Sequence, residues 1–116
     1  ALEQALHARY NVHRLTDEPY PAAFLVEHGA QFDAVVTSAA IGLSAQHLAA
    51  LPSVKVISSF GVGLDKVPVE EAKARGIAVG YTPDVLNDCV ADTAFALLLD
   101  VARRTAEADR FVRAGQ

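Results

Sequence analysis

The sequence predicts an α/β fold: one domain built on a parallel sheet with helices on both faces. Three apolar segments, at residues 34–38, 54–59 and 77–81, have the length and composition of buried strands. Segments with helical spacing and helix-start signals separate them. Apolar strands that alternate with helices of this length are typical of a parallel sheet covered on both faces.

Local signals predict the elements ahead of the first of these strands. Residues 2–10 have helical spacing, and residues 12–15 alternate between apolar and polar types as a short strand should. Pro19 and Pro21 mark a turn, which is followed by a short helix that Gly29 ends.

Two helices are predicted between the strands. Ser44 is a good N-cap for a helix from Ala45 to Leu51, which the next proline stops. Pro68 stands where the following helix can start, and Gly76 closes that helix. Each helix therefore links one predicted strand to the next.

Residues 87–114 are predicted to form one long helix. Its apolar stripe consists of Val90, Ala94, Phe95, Leu98, Leu99 and Ala102. Its exposed side carries opposite charges at i,i+4 spacing: Asp100 with Arg104, Arg103 with Glu107, and Asp109 with Arg113. Such a helix is about 40 Å long, more than a domain of this size needs. We expect an interdomain helix that packs against protein outside these residues.

Composition limits the classes of partner. A chain of 116 residues that is 52% apolar can bury one core. The net charge of -4 argues against nucleic acid and anionic membrane as partners. The single cysteine, Cys89, rules out an internal disulfide and a cysteine-rich metal site, so we predict no metal centre and a cytoplasmic location.

Ligands of open parallel sheets bind at the carboxyl ends of the strands. Three predicted loops fall at that edge, at residues 38–42, 60–65 and 82–87. In the middle loop, Gly61 and Gly63 leave the backbone around Val62 open to close approach. The N–H groups of Val62 and Gly63 are then positioned to hold a carboxylate.

Two other interpretations of this loop are open. Gly61 and Gly63 also begin a dinucleotide fingerprint, but Lys66 stands where its third glycine belongs, and residues 78–81 bring no acidic residue. A tight turn that simply needs two glycines is the other interpretation.

Three stretches place this loop in a wider pattern. They are Ser58-Ser59-Phe60-Gly61-Val62-Gly63-Leu64-Asp65-Lys66-Val67, Ala72-Lys73-Ala74-Arg75-Gly76-Ile77 and Thr82-Pro83-Asp84-Val85-Leu86-Asn87-Asp88-Cys89-Val90-Ala91-Asp92. Together they resemble the D-2-hydroxyacid dehydrogenase family, and most of all its glyoxylate, hydroxypyruvate and hydroxyphenylpyruvate reductases. The resemblance covers residues 34–116. Many relatives have an aspartate where this chain has Pro68, a difference that leaves the ligand loop unchanged.

The resemblance implies a flavodoxin-like substrate-binding domain spanning residues 1–116, with residues 87–116 as the interdomain helix. It implies substrate contacts from Phe60, Gly61, Val62, Gly63, Leu64, Ala39, Ala40 and Ile41. Val90 would contact the nicotinamide of NADH or NADPH, which a second domain mainly binds. The substrate would be a small 2-oxoacid or 2-hydroxyacid, and the full-length protein a homodimer.

By the same resemblance, the catalytic Arg, Glu and His belong to a nucleotide-binding domain that follows Gln116. We therefore predict no catalytic residue in this chain and no turnover by it alone, and we expect that the family's first strand precedes Leu2. Two classes without catalysis are open as alternatives: a self-standing flavodoxin-like ligand-binding module, and a dimerisation module suggested by the long last helix.

Overall fold

A parallel sheet organises the first part of the chain. The computed structural model describes residues 2–116. Strands β1 (Ala34–Ser38), β2 (Val56–Phe60) and β3 (Ala78–Gly80) lie in the order β1-β2-β3. Both pairs are parallel. The predicted α/β class and its parallel sheet are confirmed.

Six α-helices accompany the sheet within residues 2–116. They are α1 (Leu2–His7), α2 (Pro21–His28), α3 (Ala45–Ala49), α4 (Val69–Ala74), α5 (Asn87–Arg103) and α6 (Thr105–Arg113), with 3₁₀ turns at Leu15–Asp17 and Gly29–Gln31. The chain divides into two compact units between Tyr81 and Thr82. The sheet and α1–α4 form the first unit, and α5 and α6 the second.

Strand β2 is the centre of the first unit's core. Ile57 and Ser59 point to the buried face, whereas Val56, Ser58 and Phe60 alternate onto the exposed one. The buried apolar residues are Leu25, Leu43, Leu48, Leu51, Val54, Ile57, Val67, Ala72 and Ile77. Right-handed crossovers between strands in sequential order place α3 and α4 on the same face.

Helix α3 is capped at both ends by side chains. The Ser44 hydroxyl accepts a hydrogen bond from the His47 N–H at 3.0 Å, as predicted for an N-cap. The Arg75 guanidinium donates to the carbonyls of Leu48 at 2.7 Å and Leu51 at 2.6 Å. Leu48 lies in the last turn of α3 and Leu51 just beyond its end, where a cation stabilises the helix.

The predicted strand at residues 12–15 is wrong. Residues 11–14 are irregular, and the sheet has no strand beside β1 other than β2 within the described residues. A strand needs a neighbour for its backbone hydrogen bonds, and side chains hold this segment instead. The His13 ring stacks on Phe24 with centroids 4.4 Å apart and contacts the Glu18 carboxylate at 2.9 Å.

The single helix predicted over residues 87–114 is also wrong, because Arg104 interrupts it in the left-handed conformation with φ 54°. The Asp100 carboxylate accepts hydrogen bonds from the Thr105 hydroxyl and from the Ala106 N–H, the latter at 2.6 Å. These two bonds cap the start of α6 and hold the pKa of Asp100 below its ordinary value.

This break changes two of the three predicted charge pairs. Arg104 pairs with Glu107 at i,i+3, so the expected pairs of Arg104 with Asp100 and of Arg103 with Glu107 are wrong. Only the pair of Asp109 with Arg113 forms as predicted, at 2.9 Å. The left-handed residue shifts the register between the two helices, and i,i+4 spacing across it no longer brings side chains together.

Candidate functional site

Two of the three predicted loops meet at the carboxyl ends of β1 and β2. We call residues 39–42, after β1, the first loop, and residues 61–66, after β2, the second loop. The Ala39 N–H donates to the Phe60 carbonyl at 3.0 Å, and the Leu43 N–H donates to the Lys66 carbonyl at 2.8 Å. The pairing of β1 with β2 therefore continues into the loops and brings them side by side.

The glycine at position 61 is required by this contact. Gly61 has φ 136°, a conformation that residues with a side chain rarely adopt. A Cβ at this position would lie 2.7 Å from the Cβ of Ala39, closer than any normal contact. Gly61 thus allows the first and second loops to approach each other.

Gly63 has a different role. It lacks a positive φ, and a Cβ there would meet only the Asp65 carboxylate, at 3.2 Å. The fold itself does not demand a glycine at this position. A bare backbone beside Val62 instead leaves room for a ligand to approach closely.

The N–H groups of Val62 and Gly63 are available to a ligand. Neither donates a hydrogen bond to any residue in the described range 2–116. Val62 is 42% exposed and Gly63 is half-buried, so both donors lie where a small molecule can reach them. Adjacent backbone N–H groups of this kind form anion-binding concavities.

The predicted pocket residues divide into an exposed and a packed group. Phe60, Ile41 and Ala40 are exposed, and Ala39 is half-buried. Leu64 is half-buried and packs against the core, and this packing holds the second loop against the first unit. Phe60 and Ile41 are therefore the largest and most exposed apolar side chains of this group.

The third predicted loop and Val90 belong to the second unit. Asp84 in that loop has φ 64°, and its carboxylate accepts a hydrogen bond from the Asn87 side chain at 2.9 Å. Val90 lies in the first turn of α5 and is exposed. Its apolar side chain is accessible for contact with a flat ring.

Sequence reasoning missed the contact that Lys66 makes with the first loop. Its ammonium donates to the Ala40 carbonyl at 2.7 Å, and this hydrogen bond links the second loop to the first. In the sequence, Lys66 belongs to the stretch that resembles the family and breaks the dinucleotide fingerprint, but neither pattern indicates a contact with Ala40. No local pattern links two residues that are far apart in sequence, so this contact becomes visible only in three dimensions.

Residues 2–116 contain neither a side-chain cluster suited to a metal ion nor a helix suited to cross a membrane. No cluster of three or more His, Cys, Asp or Glu side chains in this range is suited to hold a metal ion. Within the same range, none of the helices combines the length and apolar character that crossing a membrane requires.

The sequence matches a known family over nearly its whole length. Residues 2–111 match the family described as D-isomer specific 2-hydroxyacid dehydrogenase, catalytic domain. Glyoxylate/hydroxypyruvate reductase A of Arabidopsis thaliana is 43% identical over 115 residues, which are 99% of this chain and 37% of that protein. Glyoxylate reductase of Thermococcus litoralis is 47% identical over 96 residues, which are 83% of this chain and 29% of that protein.

Solved structures give the same result. A 2-hydroxyacid dehydrogenase from Ketogulonicigenium vulgare superposes with a TM-score of 0.85 at 36% identity, covering 97% of this chain and 36% of that one. An NADPH-dependent glyoxylate/hydroxypyruvate reductase from Sinorhizobium meliloti, solved with NADP and malonate, gives a TM-score of 0.73 at 34% identity over 98% of this chain and 34% of that one. The chain thus spans about a third of the length of these relatives. On its sequence and on its fold, the chain belongs to the D-isomer-specific 2-hydroxyacid dehydrogenase family.

Proposed function

We propose that this chain is the substrate-binding part of an NAD(P)-dependent dehydrogenase that reduces a small 2-oxoacid, such as glyoxylate or hydroxypyruvate, to a D-2-hydroxyacid. The observation that carries the proposal is the pair of accessible N–H groups at Val62 and Gly63, which donate to no described residue. The names of the relatives and the malonate bound to one of them support a small carboxylate as ligand.

The two loops contact different parts of the substrate. Val62 and Gly63 hold the substrate carboxylate through their N–H groups, and Gly61 keeps the first loop close enough to share the ligand. Phe60 and Ile41 then border the substituent on C2 of the substrate. Backbone donors suit this task because they are fixed by the fold and need no ordering of a side chain when the ligand binds.

The second loop fits a carboxylate better than a dinucleotide. The third glycine of a dinucleotide fingerprint is replaced by Lys66, whose side chain is bonded to the Ala40 carbonyl. We assign only Val90 to the cofactor, because its exposed apolar side chain suits the face of a nicotinamide ring. When bound, NADH or NADPH supplies the hydride for C2.

A cytoplasmic location agrees with the single cysteine.

The proton donor and the cation that polarises the 2-oxo group are assigned to residues outside this chain. The histidines with described ring contacts are used for packing: His13 and His28 both lie against Phe24. The two loops carry no histidine or arginine. This chain therefore positions the substrate, and a nicotinamide-binding domain completes the reaction.

The proposed function predicts that the 116-residue chain shows no turnover alone and gains it when joined to a nicotinamide-binding domain. The test follows NADH and NADPH absorbance with glyoxylate and with hydroxypyruvate, for the chain alone and for the joined protein. Steady oxidation by the repurified chain alone would place the catalytic groups inside these residues. If the joined protein reduces no small 2-oxoacid, the proposed function fails. A parallel titration of the chain with a flavin then tests the alternative, a self-standing flavodoxin-like ligand-binding module.

We also propose that α5 is buried between domains and between subunits in a homodimer. Phe95, Leu97, Leu98, Leu99 and Val101 are each more than half exposed. At 100° per residue, these apolar side chains cover more than half of the helix circumference. A helix that is apolar on several sides is stable in water only when other protein covers it.

The isolated chain should consequently self-associate, and Leu98→Lys should weaken this association by about tenfold or more in Kd. A lysine in an apolar contact loses its hydration, whereas one on the polar side does not. Ala96→Lys is the matched control, because Ala96 shares its side of α5 with Asp92 and Asp100. Sedimentation equilibrium measures the Kd. A chain that stays monomeric with strong hydrogen-exchange protection along both α5 and α6 would contradict the proposal.

A further inference from the structure

We propose that Lys66 is a positioning residue that sets the substrate's side-chain selectivity by holding the tip of the first loop in place. The proposal rests on the proposed function, because the tip in question borders the substituent on C2. It concerns Ala40 and Ile41, the two exposed residues of the first loop.

Lys66 makes three contacts with the first loop and with Leu43, the residue that follows it. Its ammonium donates to the Ala40 carbonyl at 2.7 Å, and its carbonyl accepts from the Leu43 N–H at 2.8 Å. Its Cβ lies so close to Gly42 that a Cβ added there would be 2.3 Å away. The ammonium, the Cβ and the carbonyl of Lys66 thus lie along the first loop from its tip at Ala40 to its end at Gly42 and Leu43.

The end of the first loop is fixed without the Lys66 side chain. The Gly42 N–H donates to the Ser38 carbonyl at 2.8 Å, and the Thr37 hydroxyl donates to the Gly42 carbonyl at 2.6 Å. Together with the backbone bond from Leu43 to Lys66, these bonds survive a change of the lysine side chain.

The tip depends on side chains alone. The Ile41 N–H donates to the Ser38 hydroxyl at 3.3 Å, a long bond, and the Ala40 carbonyl accepts from the Lys66 ammonium. A bond from a charged donor is the stronger of the two. Removing the ammonium therefore frees the tip while the fold and the second loop stay intact.

The position of the tip matters differently for different substrates. Besides its carboxylate and oxo groups, C2 of glyoxylate carries only hydrogen, so this substrate needs the Val62 and Gly63 donors but no contact with the tip. Hydroxypyruvate carries a hydroxymethyl group, which the Ile41 side chain borders in the proposed pocket. We expect a mobile tip to weaken binding of hydroxypyruvate and to leave glyoxylate almost unaffected.

The test compares Lys66→Met, which keeps the apolar stem and loses the donor, with Lys66→Arg, which keeps a donor. In the protein joined to a nicotinamide-binding domain, Lys66→Met should raise KM for hydroxypyruvate about fivefold, with KM for glyoxylate and both kcat values changed by less than about twofold. Lys66→Arg should restore most of the selectivity. Lys73→Met, on the exposed side of α4, is the control for losing a surface charge.

A second measurement reports on the tip directly in the 116-residue chain. Amide exchange at Ile41 should accelerate in Lys66→Met, and exchange at Leu43 should not. Unchanged exchange at Ile41 overturns the inference whether or not the joined protein is active. An equal rise in KM for both substrates also overturns it, because it would mean that the ammonium binds the carboxylate itself. A joined wild-type protein without activity counts against the proposed function alone.

Discussion

Replacing Gly63 by valine should raise KM for glyoxylate by about tenfold or more while the free energy of unfolding changes little. The new Cβ meets only the Asp65 carboxylate, at 3.2 Å, and that flexible group can give way. The branched side chain would instead occupy the space through which a carboxylate reaches the Val62 and Gly63 donors. Losing hydrogen bonds to a charged group costs about 1.5–3 kcal/mol, which corresponds to roughly tenfold or more in affinity.

Steady-state kinetics of the protein joined to a nicotinamide-binding domain measure KM, and urea unfolding of the 116-residue chain measures stability. Gly61→Ala is the informative comparison, because a Cβ there strains the backbone and lies 2.7 Å from the Ala39 Cβ. It should lower the free energy of unfolding as well as binding. A Gly63→Val protein with wild-type KM would remove Val62 and Gly63 from the carboxylate site.

The sheet and the site loops could be predicted because their signals are local. The apolar segments at residues 34–38, 54–59 and 77–81 each overlap a strand of the sheet, and β1 coincides with its prediction. Parallel strands bring their carboxyl ends to one edge, so the pairing of β1 with β2 puts Ala39 beside Gly61. Once the strands were known, the meeting of these two loops followed from topology.

The failures came where tertiary contacts decide. Residues 12–15 alternate like a strand, but packing of His13 on Phe24 holds them without a sheet neighbour. The helical pattern continues through Arg104, but the Asp100 carboxylate provides a cap for a new helix there. In both places the competing interaction is made by a side chain whose partner the sequence pattern does not identify.

Gly29 and Gly76 show how one pattern can hide two causes. Both follow a helix and both were predicted to end it. Gly76 has φ 69°, the left-handed conformation expected of a C-terminal glycine, and a Cβ there would meet nothing within 4 Å. Gly29 has an ordinary helical φ of -57°, but a Cβ there would lie 1.9 Å from the Ala50 carbonyl oxygen. The first glycine is needed for its conformation and the second for close packing.

Gly29→Ala should therefore lower the free energy of unfolding by about 3 kcal/mol, and Gly76→Ala by only about 1 kcal/mol. The added methyl group at residue 29 meets backbone, which cannot rotate aside, so the segment after α2 has to move away from the end of α3. This movement would disturb Leu25, Leu48 and Leu51, all of which are in the core. At residue 76, the cost is only the left-handed backbone conformation.

Urea unfolding of both variants beside the wild-type chain measures the two differences under one set of conditions. Conformational strain alone would make Gly76→Ala the more harmful change, because of these two glycines only Gly76 has a positive φ. Equal losses, or a larger loss for Gly76→Ala, would show that the contact between Gly29 and Ala50 does not limit the packing of this core.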